Sequence, residues 1–250
     1  MQVIAVSNRK GGTGKTTVCV NLASELAARG SRVLVIDLDS QGHCAVGLSI
    51  EDCGSTPSVH QVLDCSGSLH DAIQPTKLAN LWLAAADPRF AHGRLSTDEQ
   101  ALRRAIASAA LADRFDFILI DTPPSLDSLL INGLTAADRL LIPFVPHPLS
   151  FQGVRQLAKL LFSVISRNNA TLKILGFLPV MAAEHVRQHR AMSAQVAREF
   201  GAARMLPPIR MDIRVAEAFG AGIPIRLYAP SSRGNEDFRA LGEEVLRRMV

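Results

Sequence analysis

Residues 10–17 read Lys10-Gly11-Gly12-Thr13-Gly14-Lys15-Thr16-Thr17, and they follow the apolar run Val3-Ile4-Ala5-Val6. The run is long enough for one buried strand. The glycines after it let the backbone turn tightly and aim successive N–H groups inward, a concavity suited to anions. Lys15 adds a cation, and Thr16 adds a hydroxyl suited to Mg²⁺. Residues 18–29 then read as a helix, with Gly30 as its C-cap. Strand, glycine turn, Lys-Thr and helix predict a phosphate cradle at a helix N-terminus. The general phosphate-loop pattern G-x-x-x-x-G-K-[ST] is met except at its first glycine, where this chain has Arg9.

Two further strands end in acids. Arg32-Val33-Leu34-Val35-Ile36-Asp37 leads into Leu38-Asp39-Ser40-Gln41-Gly42, and Asp116-Phe117-Ile118-Leu119-Ile120-Asp121 leads into Thr122-Pro123-Pro124-Ser125. Ligands of open parallel α/β sheets bind at the C-terminal ends of the strands. Asp37, Asp39 and Asp121 are therefore expected near the phosphates and metal of a nucleotide. An apolar strand ending in Asp downstream of a phosphate loop reads as a Walker B element, with Asp121 on Mg²⁺ directly or through water.

The rest of the chain supplies the layers of such a fold. Residues 81–85 and 140–145 read as strands, as does 172–180. Residues 43–80 break into short pieces, with short helices expected near 58–64 and 68–73. Ser96-Thr97-Asp98-Glu99 has capping-box spacing before a helix with apolar positions at 101, 102, 105, 106 and 109. A helix is expected over 151–166, with Ser150 as N-cap and Leu157, Leu160, Leu161, Val164 and Ile165 as its buried stripe. Helix 186–200 carries Arg187, Arg190 and Arg198, and a last helix runs over 235–249. The whole predicts one α/β domain over 1–250, a doubly wound and mostly parallel sheet with helices on both faces.

Composition narrows the setting. At 250 residues and 48% hydrophobic content the chain can bury a large core. No apolar run reaches membrane-spanning length. The first strand starts almost at residue 1, so neither a signal peptide nor a helix-turn-helix domain is expected before it. Cys19, Cys44, Cys53 and Cys65 have neither C-x-x-C nor zinc spacing, so free thiols in a reducing cytosol are expected. The net charge is +4, unevenly spread: residues 1–150 hold 12 Lys+Arg against 15 Asp+Glu, and residues 151–250 hold 15 against 8. That surplus fits either an ordinary basic surface or a footprint for nucleic acid.

With Lys10 opening the loop, the stretch resembles the deviant Walker A motif, K-G-G-x-G-K-T-[ST], of the ParA/MinD family of P-loop ATPases. The resemblance extends to the D-x-D-P-Q-G segment, with Ser40 in place of proline, and to D-T-P-P-S after the third strand, which fits the ParA branch better than MinD. It continues through Ile213-Arg214-Val215-Ala216-Glu217-Ala218 to Ser232-Arg233-Gly234. It implies ATP and Mg²⁺ as ligands, with the phosphates on Gly11, Gly12, Thr13, Gly14, Lys15, Thr16 and Thr17. It gives Lys15 to the β and γ phosphates, Thr16 and Asp121 to the metal and Asp39 to the attacking water. Lys10 would reach the partner subunit's ATP in a sandwich homodimer.

The resemblance further implies slow ATP hydrolysis, stimulated by a ParB-like or other cargo adaptor. It implies non-specific binding to double-stranded DNA, with Arg214 as the first residue to carry it and Arg210, Arg187 and Arg190 as weaker candidates. Cargo would be a plasmid, a chromosome origin or a protein assembly such as a carboxysome, and the location would be the cytoplasm, on the nucleoid. The family's I-P-R-N loop beside the adenine is here Ile209-Arg210-Met211-Asp212, so the base contacts stay open. A MinD-like membrane-associated ATPase is the alternative, disfavoured by a C-terminal segment that lacks a strongly apolar face and basic flank. An iron–sulfur reductase would need cysteines beyond residue 65, and a metabolite ligase would not need Lys10 or the Arg214 block.

Overall fold

The computed structural model describes residues 1–50, 56–90, 98–108, 111–183 and 185–249. A seven-stranded sheet runs through the molecule in the order β3-β4-β2-β5-β1-β6-β7. Its strands are β1 (Gln2–Val6), β2 (Val33–Asp37), β3 (Ile73–Pro75), β4 (Leu81–Ala84), β5 (Phe117–Asp121), β6 (Arg139–Phe144) and β7 (Lys173–Pro179). All pairings are parallel except β3 with β4 at one edge. The expected doubly wound α/β fold is present.

The central strands are apolar throughout because both of their faces are covered. Alternate residues feed two cores. Ala5, Leu34, Ile36, Ile118, Ile120 and Ile142 point to one, which is closed by α3 (Val59–Leu63), α5 (Ala101–Ser108), α6 (Ser128–Ala136) and α7 (Pro148–Arg167). Ile4, Val6, Val33, Val35, Leu119 and Leu141 point to the other. There α1 (Lys15–Ala28), α2 (His43–Gly47), α9 (Ile213–Gly220), α10 (Ile225–Tyr228) and α11 (Arg233–Met249) cover the sheet. The remaining helices are α4 (Leu69–Ala72) and α8 (Arg187–Phe200), and Val196 of α8 packs into the first core.

Three local expectations are corrected. Ser150 is not an N-cap: α7 begins at Pro148, where a fixed φ and a missing N–H suit the first turn, and Ser150 lies inside the helix, fully buried. Ile165 is 37% exposed, because the buried side of α7 is Phe151, Val154, Leu157, Leu161 and Val164. The second short helix near 68–73 ends at Ala72, and Ile73–Pro75 forms the antiparallel edge strand, where a proline costs no ladder bond. The Ser58 capping box, closed by Gln61, starts α3 inside the expected 58–64. Ser96 and Thr97 of the proposed capping box, position 109 of the following helix, and Cys53 lie outside the described residues.

Candidate active site

The register of the central strands builds the site. Val6 of β1 and Asp37 of β2 both pair with Asp121 of β5, so three strands end at one level. The loop leaving β1 rises over that edge. Gly12 and Gly14 have φ of 72° and 70°, a region in which a Cβ is strained, and Gly14 is the N-cap of α1. Arg9 has no such conformation, which is why the missing first glycine does no harm. Asn8, wholly buried, donates Nδ2 to the Pro143 carbonyl at 2.7 Å and accepts the Lys10 N–H at 3.0 Å. It fixes the entry of the loop to β6. Thr13 Oγ1 donates to the Lys10 carbonyl at 3.1 Å and closes the loop on itself.

Lys15 is buried at the head of α1, and burial lowers its pKa while Asp121 and Asp39 pull the other way. Asp121 is wholly buried. Desolvation pushes its carboxyl up to about 6, against the opposing effects of a hydrogen bond from the Thr16 side chain and of Lys15. Its Oδ2 accepts the Cys44 thiol at 3.6 Å, and its Oδ1 is buried without a hydrogen-bond partner. A buried anionic oxygen with no partner, beside a threonine hydroxyl, is what a hard cation satisfies. The residues present therefore fit a Mg²⁺ site.

A carboxylate oxygen of Asp37 lies within 4.8 Å of one of Asp121 and of the Cys44 sulfur. The two Asp37 oxygens accept the N–H groups of Asp39 at 3.0 Å and Cys44 at 3.0 Å, so Asp37 braces the turn that presents Asp39. Burial and the neighbouring Asp121 raise the Asp37 pKa well above the usual range. Asp39, half-buried, accepts the Gln41 N–H at 3.1 Å and lies within electrostatic reach of Lys15. Lys10 points away from this cluster. Its Nζ donates to Ser150 Oγ of α7 at 3.4 Å.

Next to Gly14, Thr17 and Val18, a mainly apolar cleft of about 320 Å³ is lined by Val180, Met181, residues 209–213 and Phe238. A flat heterocycle attached to phosphates on the loop would enter here. The Ile209-Arg210-Met211-Asp212 segment forms part of the cleft wall, and that wall is rigid for a reason. Arg210 donates its N–H and its guanidinium to Asp237 of α11 at 2.7–3.0 Å and reaches Glu236 at 3.2 Å. That engagement holds the Arg210 guanidinium on α11.

The other arginines are arranged differently. Arg214 is exposed on α9, and Arg187 and Arg190 are exposed at the start of α8, in the opposite helical layer. The two regions are joined through backbone bonds, Ala182 N–H to the Ile209 carbonyl and Met211 N–H to the Ala182 carbonyl, each 3.0 Å. The sequence points to the Ile209-Arg210-Met211-Asp212 wall only through the family's adenine loop, and it does not single out Asn8, Ser150, Cys44, or Val180, Met181 and Phe238 of the cleft, as parts of the site. Asn8, immediately before the loop, is the one with a local signal.

Comparison with known proteins agrees with this geometry. A family model described as "AAA domain" matches residues 1–174. The chain is 35% identical over 247 residues to the sporulation initiation inhibitor protein Soj of Bacillus subtilis, covering 98% of each chain. It is 32% identical over 250 residues to the chromosome partitioning protein ParA of Myxococcus xanthus, covering 99% of this chain and 88% of that one. Among solved structures, cobyrinic acid a,c-diamide synthase of Mycobacterium smegmatis, with bound ADP and magnesium, superposes with a TM-score of 0.80. It is 31% identical, and the match covers 100% of this chain and 95% of that one. The cell division ATPase MinD of Pyrococcus furiosus superposes with a TM-score of 0.83 at 28% identity, covering 98% of each. Loop, acids, fold and relatives converge: the chain belongs to the ParA/MinD family of P-loop ATPases.

Proposed function

We propose that this protein is a ParA-type ATPase that uses slow ATP hydrolysis as a switch between a DNA-binding dimer and a released state. The observation that carries the reading is the loop from Lys10 to Thr17 set against Asp121, Asp39 and an apolar cleft. Backbone N–H groups of residues 11–16, with Thr17, bind the phosphates, and Lys15 neutralises charge between the β and γ positions. Thr16 and Asp121 would hold Mg²⁺, which when bound offsets the phosphate charge that develops during transfer. Asp39, presented by the Asp37 brace, orients the attacking water. The 209–213 wall, with Val180, packs on the base.

Lys10 is the first of the loop's two lysines, and it rests on Ser150 within its own chain. A single long bond to a hydroxyl is easily exchanged for a phosphate. Lys10 therefore swings to the γ phosphate in the partner subunit when two ATP-loaded copies meet face to face. Hydrolysis then depends on dimerisation, and a partner protein that completes the site sets its rate.

The ATP dimer binds duplex DNA through backbone phosphates, with Arg214 as principal contact and Arg187 and Arg190 in support. Arg210 contributes by holding the cleft wall. Cargo attached to the stimulating partner, a plasmid, a chromosome origin or a protein assembly, is positioned along the nucleoid. No helix among the described residues is long and apolar enough to cross a membrane. One observation favours the DNA reading over peripheral membrane attachment. The apolar side of α11, Phe238, Leu241 and Val245, is spent in the core and leaves no insertable face.

The test is Lys10→Ala. Removing one transition-state cation should lower hydrolysis by about 10²–10³-fold and abolish dimerisation on ATP, measured by light scattering, while nucleotide binding persists. Partner-stimulated turnover at the wild-type rate in that variant would overturn the cross-subunit role.

A further inference from the structure

The positive surplus of residues 151–250 gathers at a second place in the fold. At the N-terminal ends of the strands, the sheet edge opposite the phosphate loop, a shallow cavity of about 330 Å³ is walled by Arg139, Lys173, Arg204, Arg247 and Arg248. No acidic side chain lines it among the described residues. Arg139 and Lys173 open β6 and β7 and are register partners, so they start on neighbouring strands about 4.8 Å apart. Arg204 ends the short 3₁₀ turn Ala202–Arg204, which lies directly on β7. A Cβ on Gly176 would meet the Arg204 carbonyl at 2.8 Å and Leu206 Cγ at 2.6 Å, so only glycine permits this approach.

The cations differ in how free they are. Arg248 is 17% exposed and fully engaged, with its guanidinium on Glu244 and on the carbonyls of Leu175 and Met205 at 2.6–2.9 Å. Arg247 is 70% exposed and shares Glu244 with it, so one acid offsets two arginines. Arg139 and Arg204 each give one nitrogen to a carbonyl, of Asp138 at 3.2 Å and of Phe200 at 2.7 Å. Neither they nor Lys173 make an ion pair among the described residues.

We propose that this basic edge is a second contact for the backbone phosphates of duplex DNA, separate from Arg214. It rests on the reading of the protein as DNA-binding and adds a site to it. The cations come from four separate elements and surround a shallow, open depression, which fits an extended polyanion better than a single small anion that must be enclosed. Lipid attachment would pair such cations with exposed apolar side chains. Here Leu175 in the wall is buried and Ile174 is half-buried. The site lies across the sheet from the nucleotide, so both can be occupied together. In a dimer joined at the phosphate loops, the two basic edges face outward.

The test is the double variant Lys173→Glu, Arg204→Glu, with Lys173→Arg, Arg204→Lys as the conservative control. Binding to a random-sequence duplex is measured with ATP across a salt series, and hydrolysis in parallel. The slope of log affinity against log salt should fall by about 2 per protomer, since each phosphate that a cation no longer neutralises removes about 0.9. The control should keep its slope, and hydrolysis should be unchanged without DNA. Wild-type protein that binds no duplex overturns the DNA reading itself. Wild-type binding with an unchanged slope in the charge-reversed variant overturns this site alone. Charge-dependent binding to phosphatidylglycerol vesicles, with duplex binding unaffected, also overturns it.

Discussion

The two edges of the same sheet solve opposite electrostatic problems. At the C-terminal edge, Lys15, Asp37 and Asp121 are taken out of water, and Asp121 is driven up to about 6 by that desolvation. At the N-terminal edge, Arg139, Lys173, Arg204 and Arg247 stay in contact with solvent, and Glu244 is held down at about 2 by its two arginines. The first edge stores unfavourable charge that a metal and phosphates relieve. The second keeps favourable charge available at little cost to the fold. On the function proposed above, chemistry would belong at the first and reversible, salt-sensitive attachment at the second.

Asp121→Asn breaks the comparison most sharply. It should reduce Mg²⁺-dependent hydrolysis by at least about 10²-fold and stabilise the nucleotide-free protein. The sign follows from the raised pKa: the folded state binds the proton more tightly than an ordinary Asp at 3.8. The penalty is therefore absent below about pH 4, grows up to about pH 6 and persists above it. At pH 7 thermal unfolding should show a gain of about 1–3 kcal/mol, and at about pH 3.5 none. A variant destabilised at pH 7 would contradict the desolvated state assigned to Asp121.

Arg214→Glu asks whether DNA binding is shared between the edges. It should lower duplex affinity with ATP by about 10–100-fold, the loss of one or two charged contacts, and leave ATP-driven dimerisation intact. Loss of both, or of neither, would remove Arg214 from the DNA contact. The smallest effect is expected for Glu244→Gln, which loosens the tie between α11 and β7. With a folded pKa near 2 against an ordinary 4.5, the Glu244 contribution is present above about pH 4.5 and lost as pH falls through about 2. Denaturant unfolding should therefore show a loss of about 1 kcal/mol at pH 7 and none near pH 2. An equal loss at both would mean that packing, rather than the ion pairs, holds α11.

The nucleotide edge is legible in sequence because its parts are local. A glycine loop must follow a strand and precede a helix, and buried parallel strands that end in Asp mark their own C-terminal ends. What Asp37 does is less legible, since its carboxylate is claimed by two N–H groups of the turn it starts. Arg210 reads as a surface cation in sequence, and only the fold brings it to Asp237, 27 residues later in the chain. The edge strand Ile73–Pro75 is hidden because among the described residues it pairs with β4 alone and its length is three residues. The basic edge cannot be read at all. Arg139, Lys173, Arg204 and Arg247 have no common motif, and only the β6–β7 register and the close approach at Gly176 bring them together.

The most direct test of the central claim is equilibrium binding of the wild-type protein to a random-sequence duplex, with ATP and with ADP, across a salt series. The account predicts binding that is strong with ATP, weak with ADP and steeply reduced by salt. Protein that binds ATP yet shows no duplex affinity in either state, or equal affinity in both, would contradict a nucleotide-switched DNA-binding ATPase.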